Sequence, residues 1–377
     1  MAPSELHIAL LRSLPISSKV LGSLLVLVSA YLIHCLRSLR SSAKVINSPQ
    51  IGKPGDHDFH EALSEGYRNH KDTTFTIPTA HHAMVIVPPR YLDEIKALPE
   101  SVLSFQNQVS ARFLGKYTGL GVNDTLVRSV KVDLTKNIIS IIQELQDEVD
   151  YSITKHIGSC PEWKEIPLYN MLLHLVALLS GRIFVGLPLS RNETWLEATL
   201  KYTIDGFVGA EKLWCYPKLL HSIMQYVIPE VRNVRRYLKN GAKLLEPIMK
   251  QRQRATREDP NFDKPSDMVQ WIVDNSEVKN SSDTDYVTKT QMLISVVAIH
   301  TTTMTTAQAL FDLVSHPEYI NLLREEVQKV QAEDGLRWTK ASIAKLRKMD
   351  SFMKESQRFR PPGLGKLSIT CMARVSY

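Results

Sequence analysis

The chain has 377 residues, 44% apolar and 23% charged, the balance of a globular protein with a substantial core. Its net charge of +7 suits an acidic partner or an anionic membrane surface. The basic residues are spread along the sequence with no zinc-finger, RNP-type or basic-arm pattern, which argues against nucleic acid. Cys35, Cys160, Cys215 and Cys371 stand far apart without CxxC spacing. They therefore read as reduced thiols, neither a disulfide framework nor a zinc site.

In chain order, Val20 to Leu36 is the one membrane candidate. A helix over this run reaches about 25 Å against a hydrocarbon core of roughly 30 Å, and Ser17, Ser18 and a snorkelling Lys19 extend it. Arg37, Arg40 and Lys44 follow, which places the C-terminal side in the cytosol and residues 1–19 in the lumen. A cleaved signal peptide lacks its small-x-small site after Leu36; a buried core helix is the other alternative. Residues 37–55, basic and then marked by Pro49 and Pro54, read as a hinge. Residues 56–377 form the globular part.

That part opens with a helix over Phe59 to Asn69, strands over Thr73 to Ile77 and Ala83 to Val87, and a helix over Tyr91 to Ala97. Ser101 to Asn123, with Gly115, Gly119 and Gly121, reads as irregular. Helices follow over Leu126 to Ile157, Pro167 to Val185, Glu193 to Phe207, Lys218 to Thr256 and Ser266 to Asn275. The fold class is mainly α with a small β portion. No GxSxG, GxGxxG, phosphate-loop or HExxH motif occurs. His81 and His82 face opposite ways if they lie on a strand, so they share no metal.

The decisive stretch is Gln291 to His316, QMLISVVAIHTTTMTTAQALFDLVSH. It contains no Gly or Pro, and Pro317 stops it. Met292 to Ile299 is so apolar that the helix should be buried on most faces. Thr301, Thr302, Thr303, Thr305 and Thr306 then crowd its centre beside His300. Threonine hydroxyls bond carbonyls one turn back and soften helices. A core helix with back-bonding threonines and an interior histidine is the plain alternative. Further on, KMDSFMKESQRFRPP (Lys348 to Pro362) is a helix closed by two prolines. Glu355 and Arg358 share one face of it. Glu65 and Arg68 have the same spacing, so the pair alone identifies nothing. The order is more specific: a threonine-centred buried helix, the helix PEYINLLREEVQKV, then Glu-x-x-Arg.

That order resembles the cytochrome P-450 family of haem-thiolate monooxygenases, in particular its membrane-bound fungal branch with ent-kaurene-oxidase-like enzymes. SGRIFVGLPLSRNETWL, Ser180 to Leu196, resembles the same branch. The resemblance implies that VAIHTT, Val297 to Thr302, crosses above a haem. Thr301 then matches the threonine that steers protons to bound oxygen, Ala298 the family's glycine, and His300 stands in place of its acid. Glu355 and Arg358 match the structural lock beside the haem. VKVDLT (Val130 to Thr135) matches the helix under it, with Lys131 at a propionate or, equally, in solvent.

The implied activity is NADPH- and oxygen-dependent oxidation of a lipophilic, terpenoid-like small molecule in fungal secondary metabolism. The implied partner is NADPH–cytochrome P-450 reductase, met by Lys131, Lys136, Lys340, Lys345, Arg347 and Lys348. The implied location is the endoplasmic reticulum membrane, with the catalytic part cytosolic. The resemblance runs to about Tyr377, short of the FxxGxRxCxG loop whose cysteine ligates iron. No cysteine here has that context, so no metal ligand is assigned. The expectation is a C-terminally truncated chain that alone binds no haem and is inactive. The alternative is a non-catalytic, membrane-anchored remnant.

Overall fold

A computed structural model describes residues 22–23, 48–53, 59–78, 83–259 and 261–360. The expected membrane span, apart from Gly22 and Ser23, lies outside the described residues, as do Pro54, His81, His82, the Pro361–Pro362 stop and Cys371. Among the described residues no helix is long and apolar enough to cross a membrane. The chain divides into two compact units, Met1–Leu92 and Asp93–Tyr377.

In the first unit, helix α1 (His60–Asn69) precedes strands β1 (Phe75–Pro78) and β2 (Ala83–Ile86). The strands pair antiparallel, Phe75 opposite Ile86 and Ile77 opposite Met84, and Gln50 adds a parallel bridge to Thr76. Ile51, Ala62, Phe75 and Ile77 form the unit's small core. Gly66 is where the Phe75 ring presses on α1: a Cβ there would lie 2.2 Å from Phe75 Cε2. This is the expected small β portion.

The second unit is helical. Its long elements are α2 (Thr135–His156), α3 (Leu168–Phe184), α4 (Glu193–Trp214), α5 (Pro229–Glu258), α6 (Met268–Asn275), α7 (Thr284–Ser315), α8 (Glu318–Asp334) and α9 (Arg347–Phe359). The expected irregular stretch 101–123 instead holds short helices at Phe105–Arg112 and Gly115–Thr118. The first forms because Ser104 Oγ accepts the Asn107 N–H at 3.0 Å, which satisfies an orphan donor of the first turn. Lys218 to Thr256 is not one helix: extended Ile228 (ψ 119°) separates His221–Val227 from α5. Pro229 explains the break, because proline disfavours helical backbone at the residue before it. The Val130 to Thr135 segment carries a π-helical turn over Ser129–Leu134. Helix α7 starts one to two turns before Gln291, at Thr284, capped by Asp283 accepting the Asp285 and Tyr286 N–H groups.

Trp195, Tyr202, Leu245, Met268, Ile272 and Met292 are buried in one cluster shared by α4, α5, α6 and α7. Each such side chain contributes about 1.5–3 kcal/mol by leaving water. Two bidentate ion pairs brace this unit. Arg191 grips buried Glu148 at 2.8 and 3.1 Å, with its guanidinium 3.5 Å from the Tyr151 ring centroid. Arg252 grips Asp267 at 2.8 and 2.5 Å. Asp267 also accepts the Gln270 N–H at 2.9 Å and so caps α6. Asp267→Ala strips the cap and leaves a largely buried guanidinium unpaired, with an expected loss of about 3 kcal/mol. Chemical denaturation reads this directly. A loss under about 1 kcal/mol would mean the pair is as weak as a surface one.

Candidate functional site

Helix α7 is buried from Gln291 to Val296 and opens one face to the surface beyond that. Positions 297, 301, 304, 308 and 311 recur at three- and four-residue steps, which place them on one side of a helix. On that side Val297 is 49%, Met304 43% and Phe311 53% exposed, and Thr301 is exposed too. The expectation of burial on most faces therefore fails at Val297. The stripe is apolar apart from Thr301 and Gln308. Thr301 Oγ1 donates to Val297 O at 2.6 Å, and Thr303 Oγ1, on the buried side, donates to Ile299 O at 2.8 Å. The helix stays continuous through these back-bonds. Ala298 packs half-buried against the core.

His300 turns away from Thr301, since successive helical residues diverge by about 100°. It is half-buried beside the backbone of Leu200 in α4, and its Nε2 is buried with no partner. Burial holds the imidazole below its usual pKa, with a hydrogen bond to the Leu200 backbone acting the other way. The structure thus joins Thr301 to Val297 and Met304 on one face and gives His300 to another.

Glu355 and Arg358 do pair. Arg358 Nε and Nη2 donate to the two carboxylate oxygens at 2.8 Å each, and the guanidinium lies 4.1 Å from the Phe359 ring centroid. These hydrogen bonds hold the Glu355 carboxyl below its ordinary pKa and Arg358 above its own. Arg68, at the matching spacing, donates to Ser64 O at 3.3 Å instead. Lys131 is exposed in the π turn and forms no ion pair with a described residue. Asn275 Nδ2 ties that turn to α6 through Ser129 and Asp133 at 3.1 and 2.6 Å.

Two positioning residues escape the sequence reading. Asp312, near the end of α7, accepts Ser356 Oγ at 2.6 Å and Gln308 Nε2 at 2.9 Å, fastening α9 to α7. Glu326 of α8 accepts the Lys348 and Met349 N–H groups at 2.8 and 3.0 Å. It caps the start of α9, whose own Leu346 offers no side-chain bond. The only early signal for Asp312 is its four-residue step from Gln308; Glu326 gives none.

The family model described as Cytochrome P450 matches residues 123–371 of this chain, which span both the α7 face and the Glu355–Arg358 pair. The chain belongs to the cytochrome P450 family. It is 38% identical over 366 residues to Cytochrome P450 monooxygenase BOA4 of Botryotinia fuckeliana, covering 96% of this chain and 72% of that protein. It is 35% identical to monooxygenase ascG of Acremonium egyptiacum, covering 84% and 62% of the two chains. With monooxygenase prx8 of Penicillium rubens the identity is 34%, covering 95% and 68%. Among solved structures, retinoic acid bound cyanobacterial CYP120A1 superposes with a TM-score of 0.59 at 15% identity, covering 84% of this chain and 70% of that one. That likeness confirms the fold. By family this P450 is an oxidoreductase enzyme, and the family implies haem, a redox partner and a lipophilic substrate.

The described residues fit such a group on one side only. The Val297, Thr301 and Met304 face is apolar with a single hydroxyl, as a planar lipophilic cofactor requires. Neither described cysteine would hold it: Cys160 and Cys215 are exposed and donate to the Ile157 and Glu211 carbonyls at 3.6 and 3.5 Å. Cavities of about 240 Å³ and 450 Å³ border α5, lined by residues such as Arg252 and Gln270 or Lys250 and Arg254, with none from α7.

The depressed His300 pKa gives a testable sign. Folding disfavours the imidazolium, so the unfolded chain takes up the proton first. This contribution is complete above the unfolded value near 6.5 and declines as pH falls through it toward the lower folded value. His156, lowered mainly by burial and then by His174 and Lys155, acts in the same direction. His300→Gln should flatten, in part, the fall of the denaturation midpoint between about pH 7.5 and 5. An unchanged slope would place His300 in a solvated setting.

Proposed function

We propose that this P450 oxidises a lipophilic, terpenoid-like small molecule in fungal secondary metabolism, using dioxygen and electrons from NADPH through a reductase. The observation that carries the proposal is the exposed face of α7, apolar except for Thr301 and Gln308. Family relatives from three fungi, all monooxygenases, support the reaction class. A haem with a cysteine thiolate supplies the electron push for O–O cleavage when bound.

The chain's own residues then have separate roles. Val297 and Met304 give an apolar substrate a surface to rest on. Thr301 holds a proton at Oγ1. Passing it outward means giving up the bond to Val297 O, which contributes about 1 kcal/mol, while the backbone ladder stays intact. Ala298 keeps the turn before Thr301 small. His300 enters this proposal only as the occupant of the α4 side. Glu355 and Arg358 fix each other, and Asp312 fixes their helix against α7.

For the electron donor, exposed Lys131, Lys136, Lys340 and Lys348 suit an acidic flavin domain. Lys345 is less suited, because Asp334 at 2.6 Å and Glu333 at 3.3 Å already hold it. We place the protein at the endoplasmic reticulum membrane through residues 20–36, on the hydropathy of that run and the cations behind it.

The test compares haem-loaded wild type with Thr301→Ala. Wild type should give a red-shifted carbon monoxide complex when reduced. The variant should keep that complex and its substrate-induced spectral change, yet divert several-fold more NADPH to peroxide. A chain with no such complex under any loading conditions is the non-catalytic remnant. A variant as tightly coupled as wild type makes Thr301 a packing residue.

A further inference from the structure

The outer face of α5 carries a charge pattern that the proposed reaction does not use. Arg232, Arg236, Lys239, Lys243, Arg254 and Arg257 are all exposed. None of the six forms an ion pair with a described residue. At 3.6 residues per turn they fall within a band about 60° wide that runs about 37 Å along the helix. Lys250 lies in the same band, paired to Glu246 at 2.6 Å. The opposite face, with Val231, Val234, Tyr237, Leu245 and Met249, is buried in the core. A solvated helix face normally mixes signs, with acid and base four residues apart. Within Arg232 to Lys243, and again within Lys250 to Arg257, like charges sit at three- and four-residue steps, which works against the helix, so stability does not explain the pattern.

We infer that this face of α5 docks on a membrane surface carrying anionic phospholipid headgroups. The choice of lipid over an acidic protein rests on what accompanies the cations. No large apolar or aromatic side chain is exposed within the band, whereas protein interfaces centre on such anchors. A plane of mobile headgroups needs only cations on flexible stems, each adding a similar increment of attraction. The exposed apolar residues come at one end instead. Ile223, Tyr226 and Val227, on the short helix packed against the start of α5, are exposed. Apolar area of this kind adds to the electrostatic attraction of cations at an anionic lipid surface.

Residue-level lysine acetylation, read by mass spectrometry on the full chain reconstituted in vesicles, tests this. The vesicles are phosphatidylcholine alone or phosphatidylcholine with an equal share of phosphatidylserine. Lys239 and Lys243 should be modified about threefold less, or lower still, on the anionic vesicles. Lys329, exposed on α8, should not change. High salt should restore reactivity by screening. Arg236→Glu with Arg254→Glu should cut the protection while the helical circular dichroism stays the same. Equal modification on both vesicle types would overturn the inference. So would stronger protection by soluble polyglutamate than by anionic lipid, which would make the band a protein-docking site. If the double variant loses its helical signal, the wild-type comparison still decides.

Discussion

Helices α5 and α7 meet at Gly241. A Cβ there would stand 3.1 Å from Thr288 Cγ2 and 3.5 Å from both Met292 Cε and the Trp195 ring. Interiors packed to crystal density leave no slack for that atom. The close approach seats the first half of α7 among Trp195, Leu245 and Met292. It also turns the helix so that Val297, Thr301 and Met304 emerge together on the open side. On α5 the same approach buries Val234 and Tyr237 and leaves the Arg236 to Arg257 row outside. One contact therefore orients two faces with different chemistry.

Beyond this contact, α9 depends on polar ties. Asp312 reaches Ser356, and Glu326 caps the two N–H groups at Lys348 and Met349. Glu355 and Arg358 are exposed and bind each other, so they set the local shape of α9 more than its attachment. Exposed pairs contribute little to stability when screened by water. Their value lies in geometry, as two side chains locked by a bidentate contact.

Most of the fold could be read from residue order. The long apolar run gave α7, the proline-closed runs gave β1 and β2, and the threonine run with the Glu-x-x-Arg helix identified the family. What escaped was local backbone chemistry and anything depending on direction around a helix. Ser104 capping Asn107 made a helix where three glycines suggested a loop. Pro229 broke the single helix expected over Lys218 to Thr256. His300 and Thr301 are neighbours in sequence, yet they face different partners. The cations of α5 looked scattered along the chain, and only the helical period lines them up.

The central claim is that the Thr301 side of α7 is the face presented to the haem and substrate. Introduced imidazoles test it most directly. In haem-loaded protein, Thr301→His should place a nitrogen on the ferric iron and give a nitrogen-ligated low-spin spectrum. Thr303→His, on the buried side, should not. Ligation from position 303 and not from 301, or from neither, would contradict the account.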